Sequence, residues 1–169
     1  LVPQTAADLL YLPSVGAECA QADAESDVAP GTTAKLLRTL GVDVPDDRDP
    51  RDLSEGQRLA LVLAIQLAVR PPVLLLDEPT RGLDYRAKAE LRRMIRTLAA
   101  QGVAVLISTH DVEFAAGASR RTLLMADGEL IADATTADLL TSSPAYAPQM
   151  AKVFAPVRVL TPDDVARGL

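Results

Sequence analysis

Apolar residues fall along this chain in two rhythms. Between Glu55 and Arg70 they crowd into one long run, LALVLAIQLAV, broken only by Gln66. That length predicts a helix rather than a strand, with Ser54 as its N-cap. Further on, short unbroken runs at Val73–Leu76 and Val103–Ser108 alternate with a helical pattern over Tyr85–Ala100. Asp84 is placed to cap that helix and Gly102 to end it. Continuous apolar strands separated by helices imply a parallel sheet covered on both faces. A short helix at Val112–Ala118 follows, then a hairpin of Thr122–Ala126 and Glu129–Ala132 turning on Asp127-Gly128. Two more helices are expected, near Thr136–Leu140 and from Pro162 with Thr161 as cap. Upstream the texture is Ala-rich, with helices expected at Ser14–Asp27 and Thr32–Leu40 and Gly41 at the stop position. Between them and Ser54, residues 42–52 read as a solvated acidic loop with two prolines.

Composition narrows the class. The chain has 169 residues and 49% hydrophobic content, enough for one globular domain and too much for disorder. The run from Leu59 to Val69 is too short, and too closely flanked by Arg58 and Arg70, to span a bilayer. No secretory signal opens the chain. Its first residue is Leu1, and the expectation is a piece of a longer protein. Cys19 is the single cysteine and has no partner for an internal disulfide. Net charge is −6, with acids concentrated between Asp43 and Glu55, which argues against a nucleic-acid partner.

Three places carry candidate chemistry. Asp77 closes a buried strand and Glu78 follows it. Ligands of an open parallel sheet gather outside the carboxyl ends of its strands. There Asp77 could hold Mg²⁺ through a water, and Glu78, turned by Pro79, could orient or deprotonate an attacking water. Ser54 opens a helix, so its hydroxyl and the N–H groups near Gly56 sit at the positive end of a helix dipole, which favours phosphate. His110, the only histidine, directly follows the strand Val103–Ser108, which puts it on the edge that carries Asp77 and Glu78. A neutral imidazole there could sense a terminal phosphate.

In order, LSEGQ, a strand ending in DEPT, then GLD, then a strand ending in STHD resemble the ATP-binding cassette (ABC) ATPases. They look like the signature, the Walker B strand, the D-loop and the His switch, and LVPQ at Leu1–Gln4 looks like the end of the Q-loop strand. The resemblance implies an α/β P-loop NTPase domain of ABC type with a helical subdomain, and ATP and Mg²⁺ as cofactors. It implies catalytic roles for Glu78 and His110 and magnesium binding at Asp77 and Gln4. Ser54, Gly56 and Gln57 would bind nucleotide across a head-to-tail dimer with a second ATPase domain, and Asp84 would be the D-loop aspartate. The implied organisation is the Q-loop end and helical subdomain over 1–52, the α/β core over 53–142, and a helical tail over 143–169.

Two departures matter. Glu55 stands where the family usually has the first signature glycine, and a carboxylate beside a phosphate is unfavourable unless it points away. No glycine is followed by lysine, and the lysines are Lys35, Lys88 and Lys152, so the sequence G-x-x-x-x-G-K-[ST] does not occur. In this family the P-loop precedes the Q-loop, so the phosphate cradle is expected upstream of Leu1. The fragment alone is expected to be inactive.

STHDVEFAA and the tail PAYAPQMAKVFAP…LTPDDVA look like the energy-coupling-factor group, importers of vitamins or metal ions. That implies a transmembrane coupling subunit as partner and a peripheral place on the cytoplasmic face of the cell membrane. The alternative is a soluble ABC-type ATPase of DNA repair or translation. Repair members insert a long coiled coil between Q-loop and signature, whereas only Thr5–Asp52 intervene here, without heptads. Translation members carry basic linkers, which this acidic chain does not show. A catalytically dead binding module is the third reading, set against the presence of Asp77, Glu78 and His110.

Overall fold

A computed structural model describes residues 1–142, 145–155, 157 and 159–166. Parts of the tail quoted above, prolines 144 and 156 among them, lie outside the described residues. The chain forms two compact units, Leu1–Ser108 and Thr109–Leu169.

The first unit is built around one helix. Helices α1 (Val15–Glu25), α2 (Thr32–Thr39) and α3 (Glu55–Ala68) precede strand β1 (Val73–Asp77), helix α4 (Tyr85–Ala100) and strand β2 (Ala104–Ser108). α3 starts as a capping box: the Gln57 N–H donates to Ser54 Oγ, and Gln57 Oε1 accepts from the Ser54 N–H. It ends before Arg70, whose φ is 49°, and Pro71-Pro72 follow. Ala60, Leu61, Val62 and Ala64 are fully inaccessible, because α1, α2 and a 3₁₀ turn at Ala6–Leu9 pack around them. A helix apolar on every side needs such a sleeve.

Polar groups hold the sleeve together. α2 has Gly31 at its N-cap, which offers no side-chain acceptor. Asp23 of α1 supplies one instead, accepting from the N–H of Gly31 and Thr33 and from the Thr33 hydroxyl at 2.6–2.8 Å. Buried Glu18 takes the N–H of Tyr11 and Leu12 on one oxygen, tying the N-terminal segment to α1. The acidic loop is less free than the sequence suggests. The carbonyls of Arg48 and Asp46 accept from the Val15 and Gly16 N–H groups, which the first turn of α1 would otherwise leave unpaired. A 3₁₀ turn at Pro50–Asp52 ends the loop.

β1 and β2 pair in parallel, Val73 opposite Ala104 through Asp77 opposite Ser108. On the other edge of β1, Val2 forms a parallel bridge with Leu76. The parallel pairing was expected, but coverage on both faces was not met. Leu74 and Leu76 are buried, whereas Val73, Leu75 and Leu106 on the opposite face are 52%, 38% and 57% exposed. Apolar content marked these residues as strand; burial depends on what lies against each face.

The second unit contains α5 (Val112–Ala118), the antiparallel pair β3 (Arg121–Ala126) and β4 (Glu129–Thr135), α6 (Thr136–Ser142), α7 (Gln149–Phe154) and α8 (Pro162–Ala166). The hairpin turns at Asp127-Gly128, with φ of 50° and 81°, as expected of that dipeptide. Hydroxyls of Ser119, Thr122 and Thr136 meet within 3.4 Å, joining the end of α5 to β3 and to the start of α6. Among the described residues no helix is long and apolar enough to cross a membrane.

Candidate functional site

The carboxyl end of β1 gathers one set of candidates. Side chains along β1 alternate, so Asp77 shares the exposed face of Val73 and Leu75. Glu78 breaks that alternation. Its φ is 45°, a left-handed conformation that costs a non-glycine residue about 1 kcal/mol or more. The turn is held from both sides. The Glu78 N–H donates to the Ser108 carbonyl at 2.8 Å, and the Glu78 carbonyl accepts from the Arg81 N–H at 3.1 Å. Pro79 and Thr80 behind it are buried. A regular strand continuing through Glu78 would send its side chain to the face opposite Asp77; the left-handed turn takes Glu78 out of that alternation.

Gln4 reaches the same edge by sheet pairing. The Val2 N–H donates to Leu75 O at 2.8 Å and the Asp77 N–H to Val2 O at 3.0 Å. Val2 therefore runs beside β1 in the same direction, and exposed Gln4 stands just past the strand's carboxyl end. His110 is exposed, follows the end of β2 by two residues, and belongs to the second unit. Asp111 beside it caps α5 by accepting from the Phe114 N–H.

A second set collects elsewhere in the first unit. Ser54, Gly56 and Gln57 of α3 line a hollow of about 370 Å³ with Gly41, Leu83, Asp84, Arg86 and Glu90. Asp77, Glu78 and Gln4 are not part of its lining. Ser54 is exposed, and Gly56 is half-buried. A Cβ on Gly56 would come within 3.1 Å of the Ala87 Cβ, so glycine here suits the close approach of α3 and α4. Asp84 caps α4, accepting from the Ala87 N–H at 2.7 Å. Gln57 and Asp84 are thus capping residues as well as motif residues.

Two residues that motif reading passed over stand out. Ser108 is the register partner of Asp77 and supplies the carbonyl that holds Glu78. Arg58 pairs with Glu55 at 3.0 Å. The i,i+3 spacing of acid and base was readable in the sequence; the register that sets Ser108 opposite Asp77 was not. Cys19 offers no reactive thiol. Burial, then the charges of Asp23, Asp46 and Glu18, push its pKa up to about 11.

Among the described residues no three His, Cys, Asp or Glu side chains cluster as a metal cage. Asp77 and Gln4 offer hard oxygen donors at one edge. Such a set fits Mg²⁺ that shares its shell with phosphate and water, and does not fit a cation held by protein alone.

A parallel strand pair with carboxylates at its carboxyl end, packed against helices, is the arrangement of a nucleotide-binding α/β domain. Comparison with known proteins places it more narrowly. Residues 22–116 match the family model described as "AAA domain, putative AbiEii toxin, Type IV TA system". The whole chain is 56% identical to a Streptomyces coelicolor protein named "Putative ABC transporter ATP-binding protein SCO2324", and spans 30% of its length. In fold it resembles CbiO1 of Clostridium perfringens, described as part of the ABC transporter complex CbiONQ. The TM-score is 0.76 at 23% identity, covering 92% of this chain and 63% of that one. It also resembles the dimeric ATP-binding cassette MJ0796 in a post-hydrolysis state with ADP and phosphate. That TM-score is 0.54 at 27% identity, covering 61% of this chain and 45% of that one. The chain belongs to the ABC ATPase family, and its fold is part of the ABC-type P-loop NTPase domain.

Proposed function

We propose that this chain is the lid and hydrolytic part of the motor ATPase of an ABC importer of the energy-coupling-factor type, whose P-loop lies in a preceding segment. The observation that carries the reading is the separation of the two sets within one unit. Asp77, Glu78 and Gln4 belong to a sheet edge, and Ser54, Gly56 and Asp84 to a hollow that excludes them. Two separate sets suit an enzyme in which each chain serves two nucleotides, one held at its own sheet edge and one closed over from the signature helix. The likeness to a Streptomyces protein named as an ABC transporter ATP-binding protein supports a transport role over repair or translation, and the energy-coupling-factor assignment rests on the resemblance of STHDVEFAA and the tail.

In this reading Mg²⁺, when bound, offsets the charge of the phosphates at the sheet edge. Asp77 and Gln4 hold it there. Glu78, set apart from the strand direction by its left-handed turn, accepts a proton from the attacking water. His110 contacts the terminal phosphate and reports its presence. Ser54 and the N–H groups at the start of α3 meet the phosphates of the partner's nucleotide. The division into 1–52, 53–142 and 143–169 follows these roles, with the helices of 1–52 receiving a transmembrane coupling subunit at the cytoplasmic face of the membrane.

The test is calorimetry of Mg-ATP with the 169-residue chain, alone and mixed with a fragment carrying the P-loop. The chain alone is expected to show no micromolar binding and no phosphate release above buffer, because a single helix terminus contributes only about 1 kcal/mol toward the roughly 8 kcal/mol that micromolar affinity needs. Activity on mixing supports the reading. Micromolar binding by the chain alone that survives Asp77→Asn refutes it.

A further inference from the structure

Glu55 is the first residue of α3, and its N-cap Ser54 is the residue assigned to phosphate. A carboxylate there gains from the helix dipole, yet it also repels any anion the same terminus would hold. The structure shows where this carboxylate goes. Its Oε1 lies 3.0 Å from Arg58 Nη2, one turn further along the helix. Its Cγ leans toward Gly82, where an added Cβ would meet it at 3.4 Å. Gly82 itself has φ of 72°, so a larger residue is disfavoured there on backbone grounds as well. Glu55 is also missing from the lining of the hollow that Ser54, Gly56 and Gln57 share.

Arg58 is more than a mobile counter-charge. Its side chain is 23% exposed against 47% for Glu55, and its Nε is buried with no protein partner among the described residues. An arginine that leaves a buried N–H unpaired is costly to keep. Its own burial keeps the guanidinium in place, and Glu55 is the anion that comes to it.

We infer that Arg58 is a positioning residue of the signature: it holds the Glu55 carboxylate along the flank of α3 and neutralises it, so that the start of the helix stays open to a nucleotide phosphate. The inference rests on the proposed reading of Ser54 and Gly56. It predicts that Arg58 matters to nucleotide binding because Glu55 is present.

That conditional dependence is measurable in the longer protein carrying Glu78→Gln, in which the proposed function expects an ATP-dependent dimer to accumulate. The quantity is the Mg-ATP concentration giving half-maximal dimer by sedimentation velocity. Arg58→Gln should raise it on the order of tenfold, an effect that shrinks at high salt as the uncompensated charge is screened. Arg58→Lys should restore most of the loss. Glu55→Gln should leave the value unchanged or lower it, and Glu55→Gln with Arg58→Gln should return to within about twofold of Glu55→Gln alone. Thermal unfolding of each variant separates this from loss of fold, which Glu55→Gln would not rescue. An Arg58→Gln defect of equal size with and without Glu55, or no defect, overturns the inference while leaving the proposed function intact. No ATP-dependent dimer in any variant overturns the proposed function and this inference together.

Discussion

Helix α3 and strand β2 are about equally apolar and end up in opposite situations. Leu61 and Leu63 of α3 are buried to within 1% of complete, whereas Leu106 of β2 is 57% exposed. α3 is wrapped by α1, α2 and the Ala6–Leu9 turn, and these are fastened by buried carboxylates. β2 has one described strand neighbour, β1, and α4 packs on it from one side. The lesson concerns division of labour. The helical sleeve covers α3, at whose start the proposed signature residues lie. The sheet, at whose edge the residues proposed for hydrolysis lie, keeps an apolar face exposed.

The sharpest test of this contrast is a pair of truncations. Leu63→Ala should cost about 3 kcal/mol, because the sleeve cannot collapse onto the space left behind. Leu106→Ala should cost less than about 0.5 kcal/mol in the isolated chain. Urea unfolding checks both, and equal costs would erase the distinction.

Chemistry should fall on the other side of the comparison. In the longer protein, Glu78→Gln should lower ATP turnover by about 10²-fold while sparing ATP binding, as expected when a positioned base is lost. Steady-state phosphate release and nucleotide-binding assays report the two effects separately. Wild-type turnover in Glu78→Gln would remove Glu78 from the role of base.

The fastening of the sleeve is open to pH. Burial pushes the Asp23 pKa up, but hydrogen bonds from the Thr33 hydroxyl and from the N–H groups of Thr33, Gly31 and Thr32 outweigh it. The net pKa lies below the ordinary 3.8. The folded state thus favours the carboxylate. Its stabilisation is fully present above pH 3.8 and is lost as pH falls through the lower folded pKa. Asp23→Ala should remove about 2 kcal/mol at neutral pH, since it strands the N–H groups at the start of α2. It should also flatten the acid limb of stability, and an acid limb identical to wild type would remove Asp23 from this role.

The smallest expected change in stability accompanies the largest expected change in association. Leu106→Lys should alter unfolding free energy by no more than about 0.5 kcal/mol, yet shift the isolated chain toward monomer, because a lysine on an exposed strand opposes intermolecular pairing. Light scattering across a concentration series checks this; a wild-type chain already monomeric throughout would show that the edge is not adhesive.

Much of the molecule was legible beforehand because local chemistry decided it. Ser54 and Asp84 are N-caps, α4 and α5 span the residues their patterns predicted, and Asp127-Gly128 turns the hairpin. In each case the deciding groups lie within a few residues of one another. The order of the motifs likewise identified the family without any coordinates. Helix α7 and the two 3₁₀ turns went unpredicted, since such short segments carry little periodicity of their own.

Tertiary structure decided what depends on distant partners. That Asp23 would cap α2 from another helix, that Val2 would run beside β1 and carry Gln4 to Asp77's edge, and that Ser108 would hold Glu78 in a left-handed turn are pairings across chain separations no local pattern encodes. The same holds for which apolar face is covered. Sequence sets the hydrophobicity of Leu63 and Leu106 alike, but burial belongs to the neighbours each one meets, and only the folded chain supplies those.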